Sequence, residues 1–178
     1  MKTKQMETVY LNDNLIKIIN SARQKLKENT RSIMFGDLAN GVELIHDNFN
    51  CPIYCEFLKV CNGTSCGDID FWSTKYLMKN QFYLVNMRGG QDTWLCIGQV
   101  LYEPLMLNKQ DEKVYLFRKD ELDGAPIFCF ESFNNLIENY VFGEGYRDIV
   151  KNVENDEWYI FLKENNFFQP IIKGNRPT

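Results

Sequence analysis

Residues 94–117 read WLCIGQVLYEPLMLNKQDEKVYLF, and this stretch decides the fold. Trp94 to Val100 is a strongly apolar run and reads as a buried strand. Leu105-Met106-Leu107 and Val114-Tyr115-Leu116-Phe117 follow, joined by the polar turn Asn108 to Glu112. Working outward, Gly67 to Trp72 alternates in polarity. Strand geometry puts Ile69 and Phe71 on one side and Asp68, Asp70 and Trp72 on the other. Gln81 to Asn86 (QFYLVN) is strand-like, and Arg88 to Asp92 has the Gly and Asp content of a turn. Together these segments predict an antiparallel meander.

Helical periodicity flanks the meander on both sides. Leu15, Ile18, Ile19, Ala22 and Leu26 repeat at helical spacing, with Asn12 or Asp13 as cap, predicting a helix over 12–29. Lys17, Arg23, Lys25 and Lys27 are placed toward water. Ser32 to Phe35 is compatible with a short strand or turn. Gly36 and Asn40-Gly41 argue for loops, and Val42 to Ile45 for a short helix or strand. Cys51-Pro52 opens a second helix whose stripe is Tyr54, Phe57, Leu58 and Cys61, and Asn62-Gly63 closes it. Ser132 caps a third helix that buries Phe133, Leu136, Ile137, Tyr140 and Val141. Asp156 caps a last one over 156–165 with Trp158, Phe161 and Leu162 inward. The order helix, helix, strands, helix, helix predicts an α+β fold, with an antiparallel sheet of about four to six strands and flanking helices on one face. Residues 1–145 form the expected domain, and 146–178 a C-terminal helical extension packed on it.

The composition narrows the function. A chain of 178 residues suits one domain. Its 24 acidic against 20 basic residues give a net charge of −4 and no basic stripe, which argues against direct nucleic-acid binding. That balance suits a basic protein partner. No segment reaches the roughly 18 apolar residues of a membrane helix, and Met1 to Tyr10 lacks the apolar run of a signal peptide. A cytoplasmic location away from the membrane is expected.

The chemistry-bearing residues are sparse. Cys51, Cys55, Cys61 and Cys66 lie close together, but their spacing is not that of paired zinc ligands, and no metal is expected. They and Cys96 and Cys129 read mainly as small buried hydrophobes. His46 is the only histidine and reads as a surface or capping residue rather than a catalytic base. Gly89-Gly90 lacks the features of a phosphate loop, so no cofactor is expected. Asp68 and Asp70 could do acid–base work as a pair, or could be a solvated strand face. With Trp72 continuing that face, the expected use is partner binding by Asp68, Asp70 and Trp72. No catalytic residue is assigned, and a small enzyme using Asp68/Asp70 or a Cys stays as an alternative.

Pro52-Ile53-Tyr54-Cys55-Glu56-Phe57-Leu58-Lys59-Val60-Cys61-Asn62-Gly63 carries a Pro and an aromatic ahead of a Phe-Leu pair and an Asn-Gly helix end. Trp94 to Gly98 ends on an Ile-Gly pair. Leu105 to Asn108 with Lys113-Val114-Tyr115 forms a hairpin, and Glu131-Ser132-Phe133 opens a helix. In this order and spacing the chain resembles the SUKH superfamily over residues 10–142. That family comprises the Smi/Knr regulators of glucan synthesis and bacterial immunity proteins against polymorphic toxins. The resemblance implies an immunity protein that binds a basic nuclease-type or deaminase-type toxin domain; the alternative is a regulatory scaffold. One departure is local: members carry a Gly- and Asp-rich turn before the hairpin, where this chain has Gln99-Val100-Leu101-Tyr102-Glu103.

Overall fold

The computed structural model describes residues 11–43 and 49–168. In chain order the elements are α1 (Asp13–Glu28), β1 (Gly36–Leu38), α2 (Pro52–Val60), β2 (Thr64–Cys66), β3 (Ile69–Phe71) and α3 (Thr74–Leu77). After a 3-10 segment (Met78–Asn86) come α4 (Gly90–Thr93), β4 (Trp94–Val100), β5 (Glu103–Asn108), β6 (Val114–Leu116) and β7 (Phe128–Phe130). The chain finishes with α5 (Phe133–Asn135), which continues as a π-helical turn through Val141, then α6 (Tyr146–Ile149) and α7 (Glu157–Glu164). The fold is α+β. Its strands form one seven-stranded antiparallel sheet in sequential order, slightly larger than the predicted four to six.

The period of two along each strand sorts the side chains onto two faces. Ile69, Phe71, Leu95, Ile97, Leu105, Leu107, Val114, Leu116 and Phe130 join the main core. Against them pack the buried stripes of α1, α2, α5 and α7. Tyr54, Phe57, Phe71 and Phe133 interlock there at ring separations of 5.2–6.0 Å, an arrangement that adds to simple area burial. The C-terminal extension belongs to this same core. Fully buried Trp158 of α7 lies over Gly36 of β1, where a Cβ would sit 2.8 Å from its ring. Its indole N–H donates to the Val141 carbonyl at 2.9 Å, satisfying an orphan helix-end acceptor.

Several local signals hold. The Asn12 side chain accepts from the Asn14 N–H and caps α1. Ser132 and Asp156 likewise cap α5 and α7 through the Asn135 and Tyr159 N–H groups. Arg23 differs from expectation and does not simply face water. Its guanidinium donates to the carbonyls of Leu38 (2.6 Å), Ala39 (3.0 Å) and Val60 (2.6 Å), tying α1 to the end of β1 and to the orphan carbonyl end of α2. Val42 and Glu43 are in neither helix nor strand, and Leu44 and Ile45 lie outside the described residues.

Gln81 to Asn86 is not a strand but lies in the 3-10 segment over the second face of the sheet. A smaller apolar cluster forms there from Leu84, Met87, Cys96, Met106, Phe117 and Leu122. The reason lies in β4. It has seven residues, while its neighbour β3 has three and reaches only Gly98. Beyond that point a chain alternative must satisfy the β4 backbone. The Gln81 side-chain amide does so at Cys96, donating to its carbonyl at 2.8 Å and accepting from its N–H at 2.9 Å. It also donates to Leu77 O at 2.7 Å. A strand at 81–86 would take this amide away from that position. Among the described residues no helix is long and apolar enough to cross a membrane.

Replacing Gln81 with Ala strands two backbone groups of Cys96. We expect Gln81→Ala to lower stability by about 2 kcal/mol in urea unfolding. A loss indistinguishable from zero would show that water replaces the amide.

Candidate functional site

Asp70 lies in the middle of β3 on the second face. The register aligns it with Ser65 of β2 and Gln99 of β4. Ser65 Oγ donates to Asp70 Oδ1 at 2.5 Å, and Gln99 Nε2 donates to Oδ2 at 2.7 Å. Both carboxylate oxygens therefore have partners within the sheet.

Trp72 follows β3 and continues its edge. Its N–H donates to Ile97 O at 2.8 Å. The Tyr54 hydroxyl lies 2.6 Å from the Trp72 carbonyl and 3.0 Å from that of Ile97, donating across the pair. The indole is half-buried and packs against both apolar clusters. Its Nε1 is buried without a conventional hydrogen-bond partner. Trp72 is thus partly a core residue, and we expect Trp72→Ala to cost about 2–3 kcal/mol in denaturant unfolding. A variant as stable as the wild type would show that the indole is dispensable to both clusters.

Asp68 is elsewhere. It is not a strand residue, because Gly67 at φ +61° and Asp68 form the two-residue turn between β2 and β3. The Asp68 N–H donates to the Tyr146 hydroxyl oxygen at 3.0 Å, and that hydroxyl donates to Asp156 Oδ2 at 3.1 Å. A Cβ at residue 67 would collide with the same hydroxyl. Burial raises the Asp68 carboxyl above its usual range, and the charges of Asp156 and Asp70 raise it further.

The three expected site residues are therefore only partly brought together. Asp70 and Trp72 line one shallow depression of about 360 Å³ with Asp37, Ser65, Ser73 and Tyr76, while Asp68 sits at the turn where the strand begins. Half-exposed Tyr76 stands on its rim, with Lys75 Nζ 5.2 Å and Lys79 Nζ 5.8 Å from the ring centroid. The sequence reading missed Tyr76 because it follows the strand and carries no periodic signal of its own. It also missed Leu101 and Tyr102, exposed between β4 and β5, although the unusual turn sequence there was visible.

Three of the buried thiols are poorly placed for nucleophilic work. Cys51, Cys55, Cys61, Cys66 and Cys96 are buried, and Cys129 is exposed. Burial pushes Cys61 up to about 12 and Cys96 up to about 11, and raises Cys66 as well. The thiolate is the reactive form, so these groups stay protonated at neutral pH. Among the described residues no three His, Cys, Asp or Glu side chains are grouped to hold a metal ion. His46 lies outside the described residues. No protein-family model matches the chain, and no curated protein matches it either.

The Asp68 shift has a testable sign. Its folded-state pKa is raised, so the folded protein favours the protonated carboxyl. The stability tied to that proton is fully present below about pH 4, the unfolded carboxyl range, and is lost as pH rises through the folded value. Asp68→Asn should therefore be more stable than wild type at pH 7, by less than about 1 kcal/mol because the group is partly solvated. The gain should vanish at acid pH. Paired unfolding curves across that window check it, and a variant less stable at neutral pH would mean that the carboxylate has a favourable partner.

Proposed function

We propose that this protein is a non-enzymatic protein-binding domain of the SUKH type, working in the cytoplasm as an immunity protein that neutralises a cognate toxin by binding it. The observation that carries this reading is an exposed apolar stretch. Tyr76, Met78, Phe82 and Val85 all remain wet within ten residues, Val85 at 87% exposure. Four large apolar side chains left wet so close together in the chain are candidates for an interaction surface. Two of the groups with chemical potential are engaged internally: Asp70 bonds Ser65 and Gln99, and burial holds Cys61 and Cys96 protonated. The α+β fold agrees with what the resemblance implies, which supports the class of function by analogy. The depression holding Asp70 and Trp72 adjoins Tyr76, so the expected partner-binding residues and the wet aromatic form a continuous candidate surface. Asp68 belongs to this proposal as an acidic flank that attracts a basic toxin domain, of nuclease or deaminase type, in line with the net charge of −4.

Co-expression with the toxin domain encoded beside the gene tests the proposal. A stable complex that abolishes the toxin's activity is expected. Tyr76→Ala should weaken it by more than about 1–2 kcal/mol without unfolding the chain. Asp68→Asn with Asp70→Asn should mainly slow association. A substrate turnover by the isolated protein that disappears on Asp68→Asn or Asp70→Asn would overturn the reading, as would the absence of any complex.

A further inference from the structure

The hairpin between β4 and β5 is built against local preference. Val100 pairs with Glu103, leaving Leu101 and Tyr102 as a two-residue loop. Both have positive φ, +50° and +70°, as a type I′ turn requires. That turn selects Asn-Gly or Asp-Gly because a Cβ is crowded in the left-handed region. A branched aliphatic and an aromatic side chain are poor occupants. Leu101 is only partly covered, at 42% exposure, and Tyr102 gains little burial, at 70%. Tyr102 has no ring partner among the described residues.

The surroundings of the tip are acidic. The Leu101 N–H donates to Asp68 O at 3.0 Å, so the tip runs beside the Gly67-Asp68 turn. Asp68 in turn feels Asp156 and Asp70. Among the described residues no ion pair involves any of these three carboxylates. The Tyr146 hydroxyl holds the Asp68 backbone N–H and Asp156 Oδ2 together, and Asp156 Oδ1 accepts from the Tyr159 N–H, so the Asp68 turn and the Asp156 carboxylate are fixed in place. Strained residues kept exposed point to use rather than to stability, and a rigid anchor loses little entropy on binding.

We propose that Leu101 and Tyr102 form a preorganised docking anchor, flanked by Asp68 and Asp156, for a partner protein segment that presents Arg or Lys beside an apolar socket. This rests on the protein-binding reading and names a contact point and a partner chemistry for it. The apolar socket covers side chains that are otherwise wet, and the cations offset charges that otherwise repel one another.

The test uses the full chain and a random peptide phage library as the probe. Selection should enrich peptides that combine Arg or Lys with an aliphatic or aromatic residue. A synthetic copy of the strongest peptide should bind less tightly as salt is raised. Leu101→Asn with Tyr102→Gly restores the preferred turn. It should raise the thermal midpoint by roughly 3–6 °C while weakening the peptide at least about tenfold. Tyr102→Ser, which leaves the turn in place, should also weaken it. The proposal is overturned if nothing is enriched, if the enriched peptides are acidic or uncharged, or if the double variant is less stable. Loss of self-association in the variant, read by sedimentation, would also overturn it by making a second copy the occupant. Cationic peptides that bind the variant and the wild type equally would remove the anchor from the tip while leaving the binding-domain reading intact.

Discussion

The backbone of Cys96 and Ile97 needs hydrogen-bond partners at a place where the sheet has no third strand. β4 continues past the end of β3, and a buried N–H or C=O left open costs about as much as a lost hydrogen bond. Three groups from three parts of the chain close this gap. The Trp72 N–H and the Tyr54 hydroxyl reach Ile97 O, and the Gln81 amide takes both polar groups of Cys96. Each has consequences. Tyr54 holds α2 on one face of the sheet. Gln81 draws the 3-10 segment over the other. Trp72, fixed between them, becomes a joint between two apolar clusters instead of a free surface anchor.

That gap also explains what was legible in the sequence. α1 and β4 are long enough for their periodicity to speak, and the caps at Asn12, Ser132 and Asp156 act within three residues, so local chemistry decides them. β1, β2 and β7 have three residues each, fewer than a strand pattern needs. They exist because neighbours offer them pairing. QFYLVN alternates like a strand but is committed by the side chain of Gln81, whose partner lies fifteen positions later. Asp70 and Trp72 fell on the second-face side as alternation implied. Asp68 did not join them, since Gly67 turns the chain and the strand starts after it. Arg23 has the spacing of a wet helix face, yet three distant carbonyls claim it.

The two faces of the sheet differ in depth of cover. The first carries the interlocked aromatic core, while the second carries a thin 3-10 layer whose outer side chains stay exposed. A thin layer with few buried contacts opens at lower free energy than the core. The cover beside Tyr76 is therefore the part of the molecule that moves most easily, while Asp70 stays tied to Ser65 and Gln99 within the sheet.

Where a sheet is covered on both faces, the turns between its strands are the surface most open to change. The Leu101-Tyr102 loop bends a chain already paired at Val100 and Glu103, so its unfavourable conformation is confined to two residues, at about 1–2 kcal/mol each. The neighbouring Gly67-Asp68 turn is different, because Tyr146 and Asp156 grip it and leave no room for a side chain at residue 67. One turn is thus held by the C-terminal extension, while the side chains of the other stand largely in solvent. A fold arranged this way can change the two residues at this hairpin tip while its core and the neighbouring turn stay as they are.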